Sequence, residues 1–299
     1  MAAVDRQPLW RRLAMLLVTG PLLAGSVLQM SACDDSEKRV VERINRAVLA
    51  LNNKNFSNAR FHLNKAVEIG EVGRDDADVN YYLGFLALRS DDPKAAIKHL
   101  TVAAARDPKR PEAHLDLARA HEAVGAYRKA VAALDGLFAI DAGHPNGHLL
   151  AARLAERSKD RKTMDQALRA AIDGDPGFAP AYLMLSRLYN TVGANKACLD
   201  VLNEGLRFAP DDLGLQEELG LAWMELGFPD RAVDVFAVAS RRAGADYSLH
   251  YNYAAALLQV GDRVKAVDQL RRYIMVGRGR ASGAQLEAAA RMILKLRKP

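Results

Sequence analysis

Residues 77–110 read ADVNYYLGFLALRSDDPKAAIKHLTVAAARDPKR, and residues 111–144 read PEAHLDLARAHEAVGAYRKAVAALDGLFAIDAGH. Laid one beneath the other, they share a small residue at the eighth place (Gly84, Ala118) and another at the twentieth (Ala96, Ala130). Working outward in steps of 34, the eighth place continues as Ala152, Ser186, Gly220 and Ala254, and the twentieth as Met164, Cys198, Ala232 and Ala266. A third series, Leu83, Leu117, Ala151, Leu185, Leu219 and Tyr253, is apolar throughout. So is a fourth, Leu100, Leu134, Leu168, Leu202, Phe236 and Leu270. Self-similarity at a fixed period over six units marks a repeat array.

Within each unit, apolar and small residues recur at three- and four-residue spacing, which predicts two helices. Small residues at the eighth and twentieth places let the two axes approach to the usual ~8–10 Å. Gly125, Gly193, Gly227 and Gly261 fall between the helices, where a left-handed backbone suits glycine. Pro108, Pro176 and Pro210 follow the second helix, and Pro111 and Pro145 suit the first turn of the next. No alternating strand pattern is present.

These residues resemble tetratricopeptide repeats over roughly residues 40–280, the small pairs from Gly84/Ala96 to Ala254/Ala266 carrying the likeness. The resemblance implies an all-α, right-handed superhelical solenoid of helix–turn–helix units. Six regular repeats occupy 77–280, with a degenerate one at 40–76 that has Arg46 where leucine is usual. The repeat at 145–178 departs twice, with Lys159 for the turn glycine and Met164 for the small residue. Residues 281–299 are read as a basic capping helix, since a terminal repeat needs a polar outer face.

The N-terminus reads as an address. Arg6, Arg11 and Arg12 precede Leu13 to Met30, a stretch without charge, interrupted by Gly20-Pro21. A basic start, an apolar run and small residues make a secretory signal over 1–32. Met30-Ser31-Ala32-Cys33 resembles a bacterial lipobox, which would lipidate Cys33 and leave 33–39 as a tether. An uncleaved anchor and a signal cut elsewhere stand as the other readings. A lipid-anchored protein facing the periplasm is expected, on the outer membrane in preference to the inner.

Charge and cysteine content exclude several classes. The chain carries a net +6, distributed as +2 over 1–32, −3 over 33–270 and +7 over 271–299. That balance does not call for nucleic acid, and the basic C-terminal stretch reads as a solvated cap or a headgroup contact. Two cysteines, Cys33 and Cys198, build neither a disulfide framework nor a cysteine-based zinc site. Asp141, His144 and His148 cluster, but His114, His148 and His250 share the fourth place of their repeats, which favours packing over metal binding. No metallopeptidase, phosphate-loop, nucleophile-elbow or dinucleotide motif occurs. No catalysis, metal or cofactor is expected.

The resemblance implies that the first helix of each repeat lines a concave groove, with the second, fifth, ninth and twelfth places pointing into it. Carried over, those places offer Tyr81, Phe85 and Leu88, then Leu115 and Arg119, Leu149 and Arg153, and Leu183 and Arg187. Arg119, Arg153 and Arg187 form a ladder suited to gripping carboxylates. Pairing with Glu122 and Glu156, three residues after Arg119 and Arg153, is the competing reading and is worth only about 0.2–0.5 kcal/mol each. Arg187 has no such glutamate. Ile44, Val48 and Leu51 either extend the apolar end of the groove or belong to the core. The lysine and asparagine of the carboxylate clamp found in chaperone-binding members are missing.

A membrane-tethered scaffold that binds a protein partner in its groove is therefore expected. The architecture is similar to that of type IV pilus pilotins, which escort an outer-membrane secretin. An envelope adaptor for peptidoglycan enzymes or proteases is the alternative.

Overall fold

The computed structural model describes residues 31–242 and 246–296, and from residue 35 onward their side chains. Residues 1–30 of the expected signal segment lie outside the described residues, as does the side chain of Cys33. By contacts the chain divides into two compact units, Met1–Val79 and Asn80–Pro299. Among the described residues there are sixteen helices and no strand.

In the first unit, α1 (Ser31–Asn52) pairs with α2 (Phe56–Val67), and the short α3 (Glu71–Asp75) packs on both. The segment 33–39, expected as a tether, is helical and continuous with α1. No glycine or proline breaks it. Val40, Ile44, Ala47 and Ala50 are buried, as are Ala59, Leu63 and Ala66 of α2. Ile44 is thus core, whereas Val48 and Leu51 are half-buried. Gly73 admits α3 against α2, because a Cβ there would lie 1.8 Å from the Ala66 carbonyl oxygen.

Five helix pairs and a sixth follow. They are α4 (Ala77–Arg89) with α5 (Pro93–Arg106), α6 (Pro111–Ala123) with α7 (Tyr127–Phe138), and α8 (Pro145–Arg157) with α9 (Arg161–Gly174). Then come α10 (Ala179–Thr191) with α11 (Asn195–Phe208), α12 (Leu213–Glu225) with α13 (Pro229–Ala239), and α14 (Tyr247–Gln259) with α15 (Arg263–Gly277). α16 (Gly283–Leu296) closes the array, burying Ala289 against the last pair. Each pair matches one 34-residue unit of the sequence.

The turn inside each pair repeats one backbone conformation. Asp91, Gly125, Lys159, Gly193, Gly227 and Gly261, spaced 34 apart, all have positive φ, between 56° and 85°. The next residue's N–H donates to the carbonyl five residues back, as in Ala126 to His121 and Asp160 to Ala155, at 2.8 and 2.9 Å. This satisfies carbonyls that the helix end leaves bare. Side chains of Asp92, Asp160 and Asp262 then accept the N–H three residues on, at 3.0–3.1 Å, and start the second helix. In the first unit the equivalent left-handed residue is Lys54, which stands 37 rather than 34 residues before Asp91.

Packing follows the small-residue series. Ala118, Ala152, Ser186 and Ala254 are buried, as are Ala96, Ala130, Ala232 and Ala266. Opposite them Leu100, Leu134, Leu168, Leu202, Phe236 and Leu270 are sealed from water. At Gly220 the fit is closest, since a Cβ there would lie 2.4 Å from Phe236 Cε1.

Candidate functional site: a basic-rimmed groove

The fourth place of each repeat, where histidines recur, is a structural clip. His114 Nε2 donates to the Pro108 carbonyl (3.1 Å) and His148 Nε2 to that of Ala142 (2.7 Å). Tyr182 and Gln216 use the same place to donate to Pro176 and Pro210, at 3.1 and 2.7 Å. Each side chain thus ties the helix start to the loop before it. His148 also stacks on Phe138, with ring centroids 4.3 Å apart, and His144 Nδ1 accepts from Gly147 N (3.2 Å). At either end of the array the partner changes, His99 bonding Asn80 and Gln269 bonding His250, both at 2.9 Å. Among the described residues no three His, Cys, Asp or Glu groups converge as for a metal ion. Burial pushes the Cys198 thiol up to about 11, so it stays protonated and unreactive at neutral pH.

The predicted groove residues do not share one environment. Tyr81 and Phe85 lie half-buried with ring centroids 6.5 Å apart, and Tyr81 and Leu88 also rest on the Ala96–Leu100 core. Arg110 stands 5.1 Å over the Tyr81 ring and Arg89 stands 5.7 Å over Phe85. Leu115 is a correction. It is only 7 % exposed, enclosed with Ala130, Leu134, Leu150 and Leu154, because the next helix pair closes over that place.

The arginine ladder is also corrected in its pairing. Arg119 meets Asp116 at 3.1 Å, not Glu122. Glu122 instead receives Arg153 from the following repeat, Nη2 to Oε2 at 2.9 Å, with Arg157 3.9 Å from its other oxygen. Arg187, the rung with no glutamate three residues on, lies 3.7 Å from Glu218, again one repeat on. Asn190 and Asn252 reach across in the same way to Glu225 and Glu217, each at 2.7 Å. The cause is burial. The Glu122 side chain is 7 % exposed, and a carboxylate withdrawn from water needs a partner close by. Successive first helices stand near enough to supply one. Burial holds the carboxyls of Asp116 and Glu218 above their ordinary range, and the facing arginines only partly offset this.

Between α8, α9 and α10 the surface opens into a cavity of about 990 Å³. Four predicted groove residues, Leu149, Arg153, Leu183 and Arg187, line it together. So do residues that repeat logic did not nominate: Lys159, Arg161, Met164, Pro180 and Met184. The signal for two of these was in the sequence, as Lys159 and Met164 are the departures of repeat 145–178.

These features place the chain among known proteins. Residues 87–154 match the tetratricopeptide repeat family model. A tetratricopeptide repeat-containing protein of Bacillus subtilis, YpiA, is 26 % identical over 199 residues, covering 67 % of this chain. The match spans 47 % of that relative's length, about half. Among solved structures, a tetratricopeptide repeat protein from Parabacteroides merdae superposes with a TM-score of 0.60 at 14 % identity, over 86 % of this chain and 99 % of the other. The Cut9–Hcn1 hetero-tetramer of the APC/C gives 0.52 at 14 % identity, over 88 % of this chain and 55 % of that one. The fold is accordingly an all-α solenoid of tetratricopeptide-type helix pairs.

Proposed function

We propose that this protein is a scaffold that holds a partner protein on the side of the array lined by its first helices. Tetratricopeptide repeat proteins generally mediate protein–protein interactions. The observation that carries the reading here is the cavity on which Leu149, Arg153, Leu183 and Arg187 converge from two successive repeats. A site of this size with an apolar floor and a few polar groups suits a ligand better than a flat solvated face does.

The lipobox-like Met30-Ser31-Ala32-Cys33 supports the further reading that Cys33 tethers the scaffold to a bacterial membrane, facing the periplasm. A secretin segment is the partner that pilotin-like architecture suggests.

Crosslinking in whole envelopes tests both. Wild type is compared with Arg187→Gln and with Cys33→Ser. Arg119 and Arg153 are left intact because they neutralise the buried Asp116 and Glu122. Recovery of a secretin by wild type and its loss in the arginine variant is the expected result, with Cys33→Ser released from membranes. Recovery of peptidoglycan enzymes or proteases instead assigns the adaptor role, and recovery of nothing by wild type rejects the scaffold.

A further inference from the structure

We propose that the α8–α9–α10 cavity selects an acidic partner segment that bears a bulky aliphatic or aromatic side chain. The inference rests on the scaffold reading above and names the chemistry of its ligand.

Charge is the first argument. Residues 33–270 carry a net −3, yet this cavity is lined by four cations, Arg153, Lys159, Arg161 and Arg187, against one carboxylate, Glu156. The local sign is the reverse of the body around it. Complementary charge of this kind steers an acidic segment in and rejects a basic one. The chain's own ends are poor occupants, since 1–32 and 271–299 are both net positive.

The cations differ in how they are held. Arg153 is held from behind by Glu122 at 2.9 Å, whereas Arg187 stands 3.7 Å from Glu218 and keeps most of its guanidinium open to a ligand. The side chains of Lys159 and Arg161 form no ion pair among the described residues, so their charge is available. Lys159 occupies a left-handed position, φ 59°, that four of the six repeats give to glycine. An L-residue there costs about 1–2 kcal/mol, and a lysine in that place adds a charge to the cavity rim.

The floor supplies the third argument. Leu149, Leu183 and Met184, half-buried, form an apolar floor to the cavity, backed by the buried Met164 and Leu188. Met164 stands where the other repeats hold alanine or cysteine, and this longer, adaptable side chain backs the floor from the core. A small anion would leave this floor wet. An aliphatic or aromatic side chain flanked by Asp or Glu covers the floor and meets the rim together.

Fluorescence anisotropy with the full chain tests the proposal. The probes are a short labelled peptide of Asp and Glu around a Leu-Phe pair, the same peptide with Ser-Ser at the centre, and the same with Lys for every acid. The first is expected to bind in a salt-sensitive manner and the other two to lose at least about tenfold. Lys159→Glu/Arg161→Glu breaks no ion pair, and it should weaken the first peptide roughly tenfold while the melting temperature holds. Equal binding of all three peptides, no binding of the first, or full affinity in the charge-reversed variant would each overturn the proposal. A wild-type dimer by light scattering that the first peptide fails to dissociate or to bind also overturns it, assigning the cavity to a second copy. The scaffold reading fails separately. A partner crosslinked equally by wild type and by Lys159→Glu/Arg161→Glu keeps the scaffold and rejects this cavity as its site.

Discussion

The helix pairs α8–α9 and α12–α13 reach one backbone with opposite choices at the same places. At the turn, one has Lys159 at φ 59° and the other Gly227 at φ 79°. At the twentieth place, one buries Met164 and the other Ala232. At the eighth, Ala152 shares a core with Leu168, whereas Gly220 yields to the larger Phe236. In the α12–α13 pair a bulkier core residue is matched by a smaller neighbour, so the departure serves packing. In the α8–α9 pair, Lys159 and Met164 both end on the cavity. Departures from a repeat pattern therefore have two physical meanings, and only their neighbours tell them apart.

Exchanging the twentieth-place residues should break the comparison hardest. Met164→Ala is expected to cost about 2–5 kcal/mol by emptying a filled space, and Ala232→Met about 1–3 by overfilling a closed one. Denaturant midpoints of the two variants measure this directly. Gly220→Ala is next, at roughly 1–3 kcal/mol, because its Cβ meets a buried phenyl ring. Phe236→Leu in the same chain restores the Ala–Leu pairing of Ala152 and Leu168, and a double-mutant cycle should show the two changes to be coupled.

The turn swap is smaller. Lys159→Gly should stabilise by about 1 kcal/mol and Gly227→Lys should destabilise by about as much, read as shifts in thermal midpoint. The smallest effect concerns Asp116, whose folded-state carboxyl burial raises above its unfolded value. That group's contribution is present in full below its unfolded-state range and is lost as pH rises through the folded value. Asp116→Asn is thus expected to gain on wild type at neutral pH and to converge with it near about pH 4. Melting curves across that range check the sign.

Much of the fold was legible because it is local. The turn glycines announced left-handed residues, and the structure puts Gly125, Gly193, Gly227 and Gly261 at positive φ. Asp91 and Lys159 take the same conformation without advertising it, since the five-residue hydrogen bond across the turn and the packed helices on either side impose it. The candidate site was legible only in part. Leu149 and Leu183 fall on the cavity and Leu115 does not, although all three hold the fifth place of their repeats. What separates them is how closely the next pair covers each helix, a quantity that no single repeat contains.

By itself the sequence determined the helix–turn–helix unit, its 34-residue period and the small residues at each crossing. Each of these is settled within one repeat or against the next, where stacked units have nearly all their interactions. Only the tertiary structure decided that Arg153 answers Glu122 and that Arg187 turns to Glu218. It alone gathered Lys159 and Met164 into a cavity with Leu183. Those partners lie 19 to 31 positions apart in the chain, and side chains on separate helices meet according to how the repeats stack, which spacing within one helix does not encode.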